Sequence, residues 1–108
     1  MNTLEPPPTD EAELRRLAEK VGVASRAKMV LVFGSEARGE AGPDSDLDLL
    51  LVLEDDANLL EAAGQAQWVL SPRRFAVDLV PILESSFHNP RNVLMMNARP
   101  DMKVLYGR

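Results

Sequence analysis

Two apolar runs dominate the hydropathy pattern: Met29-Val30-Leu31-Val32-Phe33, which ends at Gly34, and Leu47-Asp48-Leu49-Leu50-Leu51-Val52-Leu53. Short continuous runs of this kind predict buried strands. Residues 34–45 between them carry three glycines, a proline and several polar groups, which predicts a loop with room for one helical turn. Upstream, Leu14, Leu17, Ala18 and Val21 repeat at helical spacing. They predict an amphipathic helix capped by Thr9 or Asp10, with Glu11 and Glu13 in its first turn and Gly22 as its stop. Ala57 to Leu70 predicts a second helix, with Leu59, Leu60, Ala63, Ala66 and Leu70 on the core side and Trp68 packed at the core's edge. Arg74 to Val80 is expected as a third strand with Pro81 just beyond it. A helix is expected over 90–99, opened by Asn89 and Pro90, and an edge strand over 102–106. Strands and helices in this order describe an α/β (α+β) domain, a small mixed sheet flanked by helices.

The remaining composition narrows the class. The chain has 108 residues, one domain's worth, with residues 1–8 read as a loose Pro-rich tail and 9–108 as the domain. No apolar run is long enough to span a bilayer, and the acidic, Pro-rich start does not resemble a signal peptide. With no cysteine, disulfides and thiolate chemistry are excluded, which fits a cytoplasmic address. A net charge of −5 with scattered Lys and Arg argues against long nucleic acid as a substrate, since phosphate neutralisation needs a basic face. The same charge suits a basic protein partner.

The chemistry concentrates where the two apolar runs meet the loop. Gly34-Ser35 closes the first strand and Asp46-Leu47-Asp48 opens the second. Residues i and i+2 of a strand share a face, so the two aspartates project side by side with Cα atoms roughly 6.7 Å apart. Two converging carboxylates repel unless a cation lies between them, and Mg2+, which favours a few carboxylates plus phosphate oxygens, suits such a pair. Gly34 lets a phosphate approach the backbone, and Ser35 offers it a hydroxyl and an amide. By chance this joint pattern arises roughly once in a thousand chains of this length at average residue usage. Asp78, inside the apolar run Phe75-Ala76-Val77-Asp78-Leu79-Val80, is a third carboxylate. It would reach the pair if its strand neighbours the second, or else form an ion pair with Arg73, Arg74 or Lys28. His88, the only histidine, reads as a loop or capping residue rather than a general base. Leu94-Met95-Met96 reads as core, with a protein-binding surface as the alternative.

The segment Val32-Phe33-Gly34-Ser35-Glu36-Ala37-Arg38-Gly39, running on to Asp46-Leu47-Asp48, resembles the minimal nucleotidyltransferases of the DNA polymerase β-like superfamily. Many of these are antitoxins encoded beside HEPN-domain ribonuclease toxins. The resemblance covers the chain from Met29 to Gly107, and the chain lacks the added helical domain of larger relatives. It implies that Gly34, Ser35 and Arg38 bind the nucleotide and that Asp46, Asp48 and Asp78 are catalytic and ligate Mg2+. It further implies ATP as the nucleotide substrate and a HEPN toxin as the partner in a hetero-oligomer, adenylylated on a tyrosine hydroxyl. Two other readings share these residues: an idle antitoxin that neutralises by binding, and a nucleotidyltransferase acting on a small molecule.

Overall fold

The computed structural model describes residues 10–33, 47–70, 77–92 and 102–107. Within them run α1 (Glu11–Ser25), β1 (Met29–Phe33), β2 (Leu47–Leu53), α2 (Leu59–Val69), β3 (Val77–Leu83), α3 (Glu84–Phe87) and β4 (Lys103–Gly107). The strands form one sheet in the order β3-β2-β1-β4. β1 is antiparallel to both β2 and β4, whereas β2 and β3 are parallel. A parallel pair cannot be closed by a tight turn, and α2 supplies the crossover. The mixed α/β architecture expected from the sequence is the one observed.

The alternation of β2 separates two cores. Leu47, Leu49, Leu51 and Leu53 join Val30, Val32, Val77 and Leu105 under α1 and α2. Leu50 and Val52 face the other way and join Met29, Leu31, Ile82 and Phe87. Leu47 and Leu49 to Leu53 are all fully buried, and at roughly 1.5–3 kcal/mol for each buried aliphatic side chain this strand is the keel of the fold.

Several expectations are corrected. α1 does not stop at Gly22 but runs to Ser25, where Arg26 adopts the left-handed conformation (φ 59°, ψ 35°). The Ala27 amide then reaches the Gly22 carbonyl at 2.9 Å and the Arg26 amide the Val23 carbonyl at 3.3 Å, the paired bonds of a Schellman ending. Gly22 serves packing instead: a Cβ there would stand 2.5 Å from the Tyr106 ring. α2 is capped by the Asn58 side chain, which accepts from the Glu61 amide at 3.0 Å. Its buried stripe is Ala62 and Ala66, with Leu59 and Val69 half-buried. Leu60 and Trp68, both assigned to the core from sequence, are 85% and 77% exposed. β3 runs through Pro81 to Leu83, because at the sheet's edge a residue without an N–H is tolerated where that position faces away from the ladder. Pro90 and Arg91 form a turn in which Asn89 Oδ1 accepts the Arg91 amide at 2.9 Å. The rest of the helix expected over 90–99, with Leu94-Met95-Met96, lies outside the described residues. So do the tail, Arg73 and Arg74.

Candidate functional site

The position of Asp48 follows from its neighbours. Leu47 and Leu49 point into the helical layer, so with a side-chain period of two Asp48 points to the opposite face. The parallel register then pairs Leu47 with Val77, Asp48 with Asp78, and Leu49 with Leu79. The two aspartates stand side by side on neighbouring strands, across a spacing of about 4.8 Å. A slip of one residue would drive Asp78 into the helical core and turn Val77 out, so burial of Leu47 and Val77 holds the carboxylates in register.

On the other side of Asp48, Phe33 is its partner in β1. One row across this face therefore reads Asp78, Asp48, Phe33. The next reads Val80, Leu50, Leu31, and the one after it Ile82, Val52, Met29. The carboxylates thus sit at one end of an apolar carpet. Asp48 is half-buried and Asp78 exposed. Although Asp78 lies in an apolar run, its side chain is exposed, because it is the second residue of β3, the outermost described strand on that side of the sheet. Phe33 is a site neighbour that the sequence reading treated only as strand. Its signal was its place one residue before Gly34, which sets it beside Asp48 once the two strands pair.

Lys28 is removed from the alternatives for Asp78. Its backbone amide donates to the Val52 carbonyl at 2.7 Å, at the far end of β2, and its Nζ pairs with Glu84 at 2.9 Å. The hydrogen bond it donates to Glu84, and then the charge of that carboxylate, raise the Lys28 pKa. Asp55 Oδ1 accepts the Ser85 amide at 2.9 Å beside this pair. His88 is at the same far end, ending α3 through its amide to the Glu84 carbonyl at 3.1 Å, with its ring set edge-on to Phe87 at 5.0 Å. It stands a strand's length from Asp48 and Asp78.

A groove of about 600 Å3 opens between the end of α1 and the start of α2, lined among others by Arg26, Glu54, Asp56, Asn58 and Glu61. It too lies at the finishing end of β2, away from the aspartates. Gly34, Ser35, Arg38 and Asp46, the other expected site residues, lie outside the described residues. Among the described residues no three acidic or histidine side chains stand together as a cation cage. What is described is two of the three expected carboxylates: two hard oxygen donors on one face, one of them open to solvent. That donor chemistry fits Mg2+, which takes few protein carboxylates and completes its shell elsewhere.

Comparison with known proteins gives the family. Residues 14–100 match the nucleotidyltransferase domain model. The protein adenylyltransferase MntA of Thermococcus cleftensis is 36% identical over 69 residues, which is 64% of this chain and 66% of that protein, just under two thirds of its length. A toxin–antitoxin structure with AMP-PNP superposes with a TM-score of 0.60 at 21% identity, covering 87% of this chain and 73% of that one. A chain of the tri-AMPylated Shewanella oneidensis HEPN toxin in complex with its MNT antitoxin superposes with a TM-score of 0.54 at 20% identity, covering 91% and 70%. These structural likenesses establish the shared fold. The chain belongs to the nucleotidyltransferase domain family.

Proposed function

We propose that this chain is a Mg2+-dependent nucleotidyltransferase acting as an antitoxin, which transfers AMP from ATP to a tyrosine hydroxyl of a HEPN-domain toxin. The observation that carries the reading is the register pairing of Asp48 with Asp78, two carboxylates side by side on one face of the sheet, with the Gly34-Ser35 motif following β1 in sequence. The identity of partner and nucleotide is supported by the relatives: an adenylyltransferase, a complex with AMP-PNP and an AMPylated HEPN toxin.

In this reading Asp46, Asp48 and Asp78 hold Mg2+, and Gly34, Ser35 and Arg38 seat the triphosphate. When bound, the metal stabilises charge on the phosphoryl oxygens and on the leaving pyrophosphate. The tyrosine oxygen attacks the α-phosphorus, the bond from that phosphorus to the bridging oxygen breaks, pyrophosphate leaves, and Asp78 accepts the phenolic proton. Phe33, Leu50 and Leu31 keep the floor beneath the carboxylates apolar, which strengthens electrostatics at the site. The cytoplasm, where ATP and Mg2+ are abundant, is the compartment this chemistry requires.

The test is transfer of label from α-labelled ATP to a co-expressed HEPN-domain toxin. A labelled toxin band that is lost in the Asp46→Ala, Asp48→Ala double variant is expected. Transfer that survives in that variant overturns the catalytic assignment, and a stable, protective complex with no transfer from the wild type replaces the enzyme with a binding module.

A further inference from the structure

Among the described residues, nothing covers the outer face of α2. At 100° per residue, Gln67, Leu60, Gly64, Trp68, Glu61 and Gln65 occupy an arc of roughly 160°, and all six are exposed. In a chain with 27% charged residues, Glu61 is the one charge on this face. A solvated helix face is ordinarily rich in charge, whereas depletion of charge around a large aromatic is the signature of an interface core. Leu60 and Trp68 are 85% and 77% exposed, two turns apart on one line.

Gly64 lies on that line between them. It costs the helix about 1 kcal/mol relative to alanine, and a Cβ there would meet nothing within 4 Å. Among the described residues no contact therefore calls for a glycine. Leu60, Gly64 and Trp68 form a notch with an apolar post on either side, a shape that admits the backbone of another helix. One border of the notch is acidic: Glu61 on α2 continues into Glu54 and Asp56 along the groove, where Arg26 is the single opposing charge among the lining residues. Val23, near the end of α1, is a further exposed apolar side chain.

We propose that the Leu60–Gly64–Trp68 face is the docking surface for a partner protein, which lays an apolar helix along α2 with lysine or arginine side chains over Glu54, Asp56 and Glu61. Charge decides the occupant. A second copy would bring the same three carboxylates, and a net charge of −5, against their own kind, whereas a basic-edged helix neutralises them. α2 packs on the Leu47–Leu53 side of the sheet and Asp48 with Asp78 on the other, so a partner held here leaves the carboxylates uncovered. This rests on the proposed function only in taking the HEPN toxin as the partner to test.

Trp68 is the only tryptophan, so the chain labelled with 5-fluorotryptophan carries one 19F reporter on this face. Titration with a purified HEPN-domain toxin should shift that resonance and remove its response to solvent isotope. Trp68→Arg should weaken the complex by about thirtyfold or more, as for a central aromatic anchor. Glu61→Lys should weaken it less, with a shallower salt dependence. Gly64→Leu should raise the thermal stability of the free chain yet weaken the complex, a pairing that a purely structural role cannot give. Complex formation with the resonance unmoved, or unchanged affinity in Trp68→Arg, overturns the docking surface while leaving the transferase reading intact. A resonance that moves with the concentration of the free chain assigns the face to self-association and overturns the proposal. A reporter already protected in the dilute free chain assigns it to a segment of the chain itself, with the same result. Absence of any complex with the wild type removes both the partner and the surface.

Discussion

The two faces of β2 are built from adjacent residues and carry different duties. The face formed by Leu47, Leu49, Leu51 and Leu53 is closed by α1 and α2 and is apolar throughout. The opposite face has Leu50 and Val52 over most of its length and Asp48 at its start, level with Asp78 and Phe33. A single strand can therefore be keel on one side and site on the other, because the pleat sends neighbouring side chains apart. The closed face fixes register, and register places the carboxylates. Leu50 and Val52 anchor a second core on the even face, so the candidate chemistry is confined to the start of that face, at Asp48.

That division can be broken at either face. Asp48→Asn keeps shape and removes one carboxylate, so AMP transfer should fall by at least about a thousandfold, the scale of losing a metal-ligating charge in phosphoryl transfer. Its denaturation midpoint should hold or rise. Label transfer and a urea titration on the same preparation check both halves. Leu49→Ala is the converse. With Leu49 fully buried, unfolding free energy should drop by about 2–5 kcal/mol, and transfer should decline only in step with the folded fraction.

The two helix glycines sharpen the contrast on a smaller scale. Gly22→Ala pushes a Cβ to 2.5 Å from the Tyr106 ring, which should cost about 1–3 kcal/mol of overpacking, partly recovered by adding Tyr106→Ser. Gly64→Ala meets open space and should stabilise by about 1 kcal/mol. Opposite shifts in chemical denaturation are the outcome to look for, and equal shifts would contradict the packing described.

The smallest effect is electrostatic and lies at the outer edge of the helical layer. Glu11 pairs with Lys103 of β4, and the hydrogen bond from Lys103, followed by its charge, lowers the Glu11 pKa below 4.5. A depressed carboxyl stabilises the fold above its unfolded pKa and loses that contribution as pH falls through the folded value. Glu11→Gln should therefore reduce stability slightly at neutral pH and converge with the wild type in acid. Melting curves from pH 7 down to about 3, spanning the carboxylate range, would detect it, and equal losses at both ends would discount the pair.

The parts that were legible in the sequence share one property: their burial is local and periodic. β1 and β2 have the bounds their apolar runs define, and Asp48 was placed correctly because the pleat leaves it only one face. The parts misread depended on distant contacts. Gly22 looks like a helix stop until Tyr106, 84 positions on in sequence, is seen lying against it. Leu60 and Trp68 look like core because hydropathy cannot tell an inward leucine from an outward one when the helix phase is set by the Asn58 cap. α3, four residues from Glu84 to Phe87, is too short to show a period. Asp78 sits in an apolar run yet is exposed, and the pairing with Asp48 that strand adjacency would bring is present. Gly34, Ser35, Arg38 and Asp46 remain assigned by motif.

The sheet's two margins bear on how molecules of this chain assemble. On one side the outermost described strand, β3, contains Pro81. On the other, β4 carries a register shift opposite Val30 and Leu31 and ends at Gly107 with φ at 74°. A proline interrupts the row of amides that an incoming strand would copy, and an irregularity twists its row out of line. Neither margin is a template for polymerisation, so crowded copies of this chain are guarded against growing into a shared ribbon. Association is left to side chains on the helices, where recognition can be selective.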